Sequence, residues 1–319
     1  MLKRFVLPRL GWALATILLS TVLVFAAIQA LPGDAATQIL GQNATPEAVA
    51  TLRKQLGLDQ SPVERFISWL GHALTGNFGT SLVSARPVGP EVGHALLNTS
   101  FLAGITILVG FSLALVLGLV AGLFRDRWPD SLISTLALVG MSVPEFIMAT
   151  LLVLAFSITI PIFPAVVVAG QNATISELLP SMTLPSLSLM FVASAYIVRM
   201  MRTSVIDVME TDFVHTARLK GISQTRLVIK HVVPSAILPT LNVLAMNVAW
   251  LIGGVVVVES IFNYPGMGSL MITSVQSRDL PTILLITVIG ALAFVICNLL
   301  ADLAATLLNP RLRYPRNSK

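Results

Sequence analysis

Residues 212–234 read DFVHTARLKGISQTRLVIKHVVP. Two short helices joined at a glycine fit this stretch. Asp212 can N-cap the first helix. Phe213, Val214 and Ala217 give it a short apolar stripe, and Gly221 ends it as a glycine just past a helix terminus does. Ser223 can cap the second helix, which leads through Arg226 and Lys230 to Pro234. The stretch lies between two long apolar runs, so it reads as a docking element on the inner side of a membrane rather than a catalytic one. A basic helix lying on anionic lipid is the plainer reading. Against it, acidic Asp207, Glu210 and Asp212 are mixed in, the apolar stripe is short, and the helix–Gly–helix geometry is specific.

The rest of the chain supplies the membrane. Of its 319 residues 55% are hydrophobic and 11% charged, and the mean hydropathy is +0.86. Soluble domains carry about 25% charged residues. The composition therefore predicts an all-α membrane protein. Six runs are long enough to span, near 10–31, 97–123, 132–160, 181–200, 236–258 and 281–307, against a need of about 20 residues each. The third ends at Ile160-Pro161, where a tilt or break is expected, and the fourth is flanked by Pro180 and Pro185.

With the N-terminus placed inside, 15 of the 20 basic residues fall in inner segments. The inner segments then carry a net +10, the outer segments −3 and the spans −2. Lysine and arginine favour the cytoplasmic side, so both termini are expected to be cytoplasmic. The basic balance needs no nucleic-acid partner; membrane lipid suffices. The first run is about 20 residues, longer than the ~7–15 of a signal-peptide core, so it reads as an uncleaved anchor.

The expected organisation is a tail and first span over 1–31, an outer helical segment over 32–96, five further spans over 97–307 and a tail over 308–319. The core includes an inner loop at 201–235 and an outer loop at 259–280. In the outer segment, Thr45-Pro46 looks like an N-cap and first helical residue, with Gly57 as the stop. Ser61-Pro62-Val63-Glu64 is a capping-box pattern, and Gly76–Ser81 is rich in turn formers. About 65 residues bury little core alone, so this segment is expected to lean on the membrane part or on a partner.

Few residues invite chemistry. The chain has no HExxH, no phosphate-binding Walker loop and no GxSxG. His72, His94, His215 and His231 are scattered, so no metal site is expected. The single cysteine, Cys297, lies in an apolar run and excludes a disulfide framework. Gly110, Ala114, Gly118 and Gly122 recur every four residues, giving one small-residue face for close helix packing within the chain or, less favoured, for a dimer. Glu145 follows Pro144 about 14 residues into the third run, near mid-bilayer at ~1.5 Å per residue. At that depth a carboxylate should line a cavity or brace the proline kink. Asn98, Asn242 and Asn247 are further polar candidates for a cavity lining. Asp302 shares a helix face with Asn298 and could pair with Arg311 or a partner chain.

The 212–234 stretch resembles the EAA loop of ATP-binding-cassette importer permeases: Glu-Ala-Ala, three residues, Gly, nine residues, then Ile-x-Leu-Pro. His215-Thr216-Ala217 stands at the triad, Gly221 at the glycine and His231-Val232-Val233-Pro234 at the final tetrad. Ala217, Gly221 and Pro234 match, while His215 replaces the Glu and His231 the Ile. Gly76–Ser81 with Arg86-Pro87-Val88, Ser142–Phe146, Tyr264–Leu270, Arg278-Asp279 and Asn309–Tyr314 resemble the dipeptide/oligopeptide branch, which includes nickel and glutathione importers. The resemblance implies a type I importer permease with six transmembrane helices in the bacterial inner membrane. It implies a homologous second permease, two cytoplasmic ABC ATPase subunits and a periplasmic or lipid-anchored binding protein. ATP and Mg would be bound by the ATPase subunits, with no cofactor on this chain. Asp212, Phe213, His215, Thr216, Ala217, Arg218, Lys220 and Gly221 would form the ATPase-coupling helix. Tyr264, Pro265, Gly266 and Gly268 would meet the binding protein. Di- or oligopeptides are the expected cargo, with nickel chelate, glutathione or opines as alternatives.

Other classes remain open from the residues alone. An ion-coupled secondary transporter could use Glu145 and Asp302 as proton carriers, but the repeat symmetry common in such proteins is not visible in the sequence. An intramembrane enzyme would need paired catalytic groups, and Glu145 and Asp302 lie on different runs. A structural anchor would leave the ordered inner loop unexplained.

Overall fold

The computed structural model describes residues 2–31, 35–41, 44–168 and 174–308, with backbone alone for 2–10, 35, 249, 252 and 300–308. Asn309–Tyr314 and the side chain of Asp302 lie outside what is described. The described chain is helical. Helix α1 (Leu2–Ala30) is followed by α2 (Ala35–Leu40), α3 (Pro46–Gln55) and α4 (Pro62–Leu74). Next come α5 (Val88–Leu123), α6 (Trp128–Ser142) and α7 (Glu145–Thr159). Then follow α8 (Thr183–Met209), α9 (Asp212–Leu219), α10 (Val233–Ile261), α11 (Met267–Ser277) and α12 (Leu280–Leu308). Among the described residues five helices are long and apolar enough to cross a membrane, and a sixth span exists if α6 and α7 count as one bent crossing.

The third run ends where a break was expected, its helix closing at Thr159 with Ile160 at φ −123°, ψ 85°. It is also broken earlier, and sharply, because α6 and α7 meet at 111° at Val143-Pro144. Proline has no N–H for the helix ladder, and its ring pushes the preceding residue out of the helical region. Val143 accordingly sits at φ −98°, ψ 120°. Glu145 is therefore the first residue of a new helix, half-buried at the bend. The second run also differs. Its helix opens at Val88, nine residues before the expected start, and it widens into a π-helical turn over Thr106–Phe111.

The chain divides into two compact units. The first comprises Met1–Thr99, Val168–Thr174 and Asn263–Val295. Its local stops were legible: Thr45 Oγ1 accepts from Ala48 N at 3.3 Å, and the Ser61–Glu64 capping box is fully formed. Helices α3 and α4 bury no residue completely. The core of this unit instead gathers Val88, Val92 and Ala95 of α5 with Met267, Leu270, Leu285 and Ile286, and Phe78 packs against it. The two segments expected to share a side of the membrane are tied together here. Asp279 accepts from Ser81 Oγ at 2.5 Å, Leu82 N at 2.9 Å and Thr282 Oγ1 at 2.7 Å.

The second unit comprises Ser100–Val167, Ile175–Phe262 and Ile296–Lys319, and α8 is its hub. The glycine face of α5 packs on α8, as intramolecular packing requires. A Cβ on Gly118 would stand 2.6 Å from Met201 Cβ and 2.7 Å from the Val198 carbonyl. On Gly122 it would stand 2.7 Å from Val205 Cβ. Small residues let the two backbones approach where lipid supplies no hydrophobic drive.

Candidate functional site

Helix α9 is where sequence and geometry agree most closely. Its N-cap is Thr211, one residue before the expected Asp212; Thr211 has extended backbone angles, φ −76° and ψ 149°. The Thr211 hydroxyl does not cap the helix but donates to the Val208 carbonyl at 2.6 Å. Asp212 is the first helical residue, where a carboxylate is favoured by the helix dipole. The other end is as expected. Gly221 has φ +75°; Gly221 N donates to Arg218 O at 2.9 Å and Ile222 N to Ala217 O at 3.2 Å. Those are the two bonds of a Schellman stop. Ser223 occupies the N-cap position of Gln224–Leu227 without a side-chain cap bond.

The stripe on α9 does not point one way. Val214 is fully buried in a cluster with Met201, Val205, Leu227, Val232 and Ala236, and Ala217 and Ile222 pack against it. Burying a valine is worth about 1.5–3 kcal/mol, so α9 is seated on the ends of α8 and α10. Ala217 thus belongs to the seat, not to an exposed docking stripe. The outward side carries Asp212, His215, Thr216 and Leu219, with Phe213 and Lys220 beside them. Leu219 is 89% exposed. Successive helical residues are about 100° apart, so Leu219 stands nearly opposite the Val214–Ala217 side. That position could have been found from the sequence.

Two ion pairs hold the adjoining backbone. Arg202 of α8 donates to both carboxylate oxygens of Asp130, Nε–Oδ1 at 2.5 Å and Nη2–Oδ2 at 2.7 Å. Asp130 also accepts from Asp126 N and Ser134 Oγ, each at 3.0 Å. Asp130 is buried and all but enclosed by these donors. Arg125 reaches Glu210, just before α9, at 2.5 Å across a more open surface. The link between 124–130 and the α8–α9 corner was not read from sequence. Its signal was Arg202 inside a helix otherwise apolar enough to span, since such a charge calls for a partner.

The polar candidates scatter. Asn242 is exposed, while Asn247 is buried and donates to Val243 O at 2.9 Å. Glu145 has no side-chain hydrogen bond or ion pair among the described residues. None of these lines the apolar groove formed by Gly110, Ala114, Leu136, Met190, Phe191 and Ser194. Asn98, in the first unit, is a tie: its Nδ2 donates to Pro265 O at 2.8 Å and its carbonyl accepts from Tyr264 Oη at 2.9 Å. Tyr264, Pro265, Gly266 and Gly268 are all buried within the chain. Thr99 Oγ1 accepts from Met267 N at 2.7 Å, fixing the start of α11. Ile272, Thr273 and Gln276 are the exposed residues of that helix. Glu259, counted as an outer-loop charge, is fully buried near the end of α10.

The family model described as binding-protein-dependent transport system inner membrane component matches residues 114–314. The model for the N-terminal part of such a membrane component matches residues 1–107. The chain belongs to this family. It is an inner-membrane permease of ATP-binding-cassette importers in the peptide/nickel branch, and its relatives are non-catalytic transmembrane subunits. The glutathione transport system permease protein GsiC of Salmonella typhimurium (strain LT2) is 37% identical over 310 residues, covering 97% of this chain and 99% of the relative. GsiC of Escherichia coli (strain K12) is 35% identical over the same coverage. The permease is thus related along nearly its full length.

Proposed function

We propose that this permease forms half of the translocation path of an ATP-driven importer for glutathione or chemically similar short peptides. The 37% identity to a glutathione permease over 97% of the chain carries the substrate reading. It moves glutathione from an alternative to the first cargo to test, ahead of ordinary di- and oligopeptides. Helix α9 is the coupling helix. Leu219 and Phe213 enter a cleft on a cytoplasmic ATPase subunit, and Asp212, His215, Thr216, Arg218 and Lys220 form the polar rim. The burial of Val214 supports this reading, because a helix seated in the core can pass a push to α8 and α10. Closure of two ATPase subunits around ATP and Mg then shifts the permease pair between inward- and outward-facing states, a population shift driven by another chain.

Both termini lie in the cytoplasm, and 32–87 and 262–280 face the binding protein, which delivers the substrate. The exposed side of α11, aimed by the buried Tyr264–Gly268 turn, contributes to that contact. Glu145 and Asn242 face the path. The second permease is a homologous chain.

Uptake of labelled glutathione by cells expressing the assembled transporter tests the substrate. Saturable glutathione uptake that is lost when this chain is deleted is expected. Uptake of unmodified dipeptides with none of glutathione would overturn the substrate while leaving the importer class intact.

A further inference from the structure

Helix α4 carries three sectors, not two. Val63, Ile67 and Leu74 form one apolar side and are 66%, 62% and 83% exposed. About 100° per residue puts Glu64, Ser68 and His72 together on a second, exposed side. Phe66 and Trp69 share a third, half-buried side. That third side touches the end of the first span. The Phe66 ring lies 5.0 Å from the Phe25 ring, and Arg65 Nη2 donates to Gln29 Oε1 at 3.0 Å.

These contacts fix the depth of α4. Phe25 is five residues before Ala30, which is about 7.5 Å of helix from the end of the span. An interfacial amphipathic helix buries its apolar side about 5–10 Å into the headgroup–acyl boundary. The two depths coincide. The order of sectors also fits: with its third side against α1, the apolar and polar sides of α4 fall to the left and right of that contact. In a helix lying across the end of α1, one of these sides would face the bilayer and the other water.

We propose that α4 lies in the lipid interface at the Ala30 end of the first span, with Val63, Ile67 and Leu74 inserted among the acyl chains. The helix is then a collar on the anchor. It sets the height of the 32–87 segment above the bilayer and replaces a core that α4 does not have. A protein partner covering the same side is the competing occupant. Lipid is favoured because the helix is already held at the level of a membrane span by residues of that span.

The test uses the full chain with Cys297→Ser, co-expressed with its transporter partners and reconstituted into phosphatidylethanolamine/phosphatidylglycerol nanodiscs. Nitroxide labels are placed singly at Ile67→Cys, Leu74→Cys, Ser68→Cys and His72→Cys. Collision rates with oxygen, which concentrates in lipid, and with a water-soluble nickel chelate are then compared. The oxygen-to-nickel ratio is expected to be several-fold higher at 67 and 74 than at 68 and 72. Equal ratios at all four positions would put the apolar side in water and overturn the proposal. Labels at 67 and 74 shielded from both reagents would overturn it in favour of a protein partner.

Discussion

Helices α3 and α9 end in the same way and are seated differently. Each closes on a glycine with positive φ, Gly57 at +66° and Gly221 at +75°. Behind each glycine run the two bonds of a Schellman stop, Gly57 N to Lys54 O and Leu58 N to Arg53 O in one, Gly221 N to Arg218 O and Ile222 N to Ala217 O in the other. Yet α3 buries none of its residues, whereas α9 sinks Val214 into the core of its unit. The stop is a local matter of three or four residues. Whether a short helix can transmit a displacement depends on what lies under it, and here one valine and its neighbours make that difference.

Placing a charge under α9 should break the comparison most severely. Ala217 packs on the Val214 cluster, and a carboxylate there has no partner. Ala217→Asp should cost about 2–4 kcal/mol locally. It should abolish co-purification of the ATPase subunits while the chain stays inserted. Ala50→Asp on the exposed side of α3 should change stability by less than ~0.5 kcal/mol. Thermal unfolding in detergent and subunit pull-down read both. Equal behaviour of the two variants would mean that the seat of α9 is irrelevant.

Next in size is the ion pair that steadies the corner before α9. Asp130→Ala leaves Arg202 with its fork unpaired. Arg202 keeps 28% side-chain exposure, so the cost should fall near 2 kcal/mol rather than the ~3–5 of a fully buried pair. ATP hydrolysis should persist while transport per ATP falls, because the coupling helix is displaced rather than lost. The reversed pair, Asp130→Arg with Arg202→Asp, should restore part of that ratio. Wild-type transport per ATP in Asp130→Ala would remove the pair from the mechanism.

The glycines themselves come third. A Cβ at either Gly57 or Gly221 meets nothing within 4 Å, so only the left-handed backbone resists substitution. Gly57→Ala and Gly221→Ala should each cost about 1 kcal/mol. The stability loss should be alike, but only Gly221→Ala should reduce ATPase docking and transport. This pair separates a shared local strain from a local role.

How far the sequence could be read follows the same division. Helix stops and caps at Thr45, Gly57, Ser61 and Gly221 were legible because their signals act over a few residues. The α5 glycine face was legible as packing because a four-residue period points to one side. The kink at Pro144 was legible as a proline inside an apolar run, but its 111° size was not, because the hydropathy continues past it. The tie between Asn98 and the buried Tyr264–Gly268 turn was not legible: a polar side chain in a span looks like a lining residue until its partner 167 residues away is known. Arg202 signalled that it needed a partner, but that the partner is Asp130, 72 residues away, was hidden for the same reason. Leu219 was within reach, since the helical wheel alone puts it opposite Val214.

The smallest expected effect belongs to Arg125 and Glu210. They meet at 2.5 Å, closer than many pairs that matter, at the same corner as Asp130 and Arg202. Distance is a poor guide here, because the side chains are 49% and 66% exposed. Water competes for both groups, and pairs of this kind contribute about 0.5 kcal/mol or less. Ionic strength weakens them further, with a screening length near 8 Å at physiological salt. Arg125→Gln should therefore leave unfolding temperature and transport per ATP close to wild type at physiological salt. At low salt a slight loss should emerge. Measured beside Asp130→Ala, it asks which of the two contacts fixes the seat of α9. If Arg125→Gln uncouples transport from hydrolysis as strongly as Asp130→Ala, the corner is held by its open edge. The buried fork at Asp130 would then be only a fold constraint.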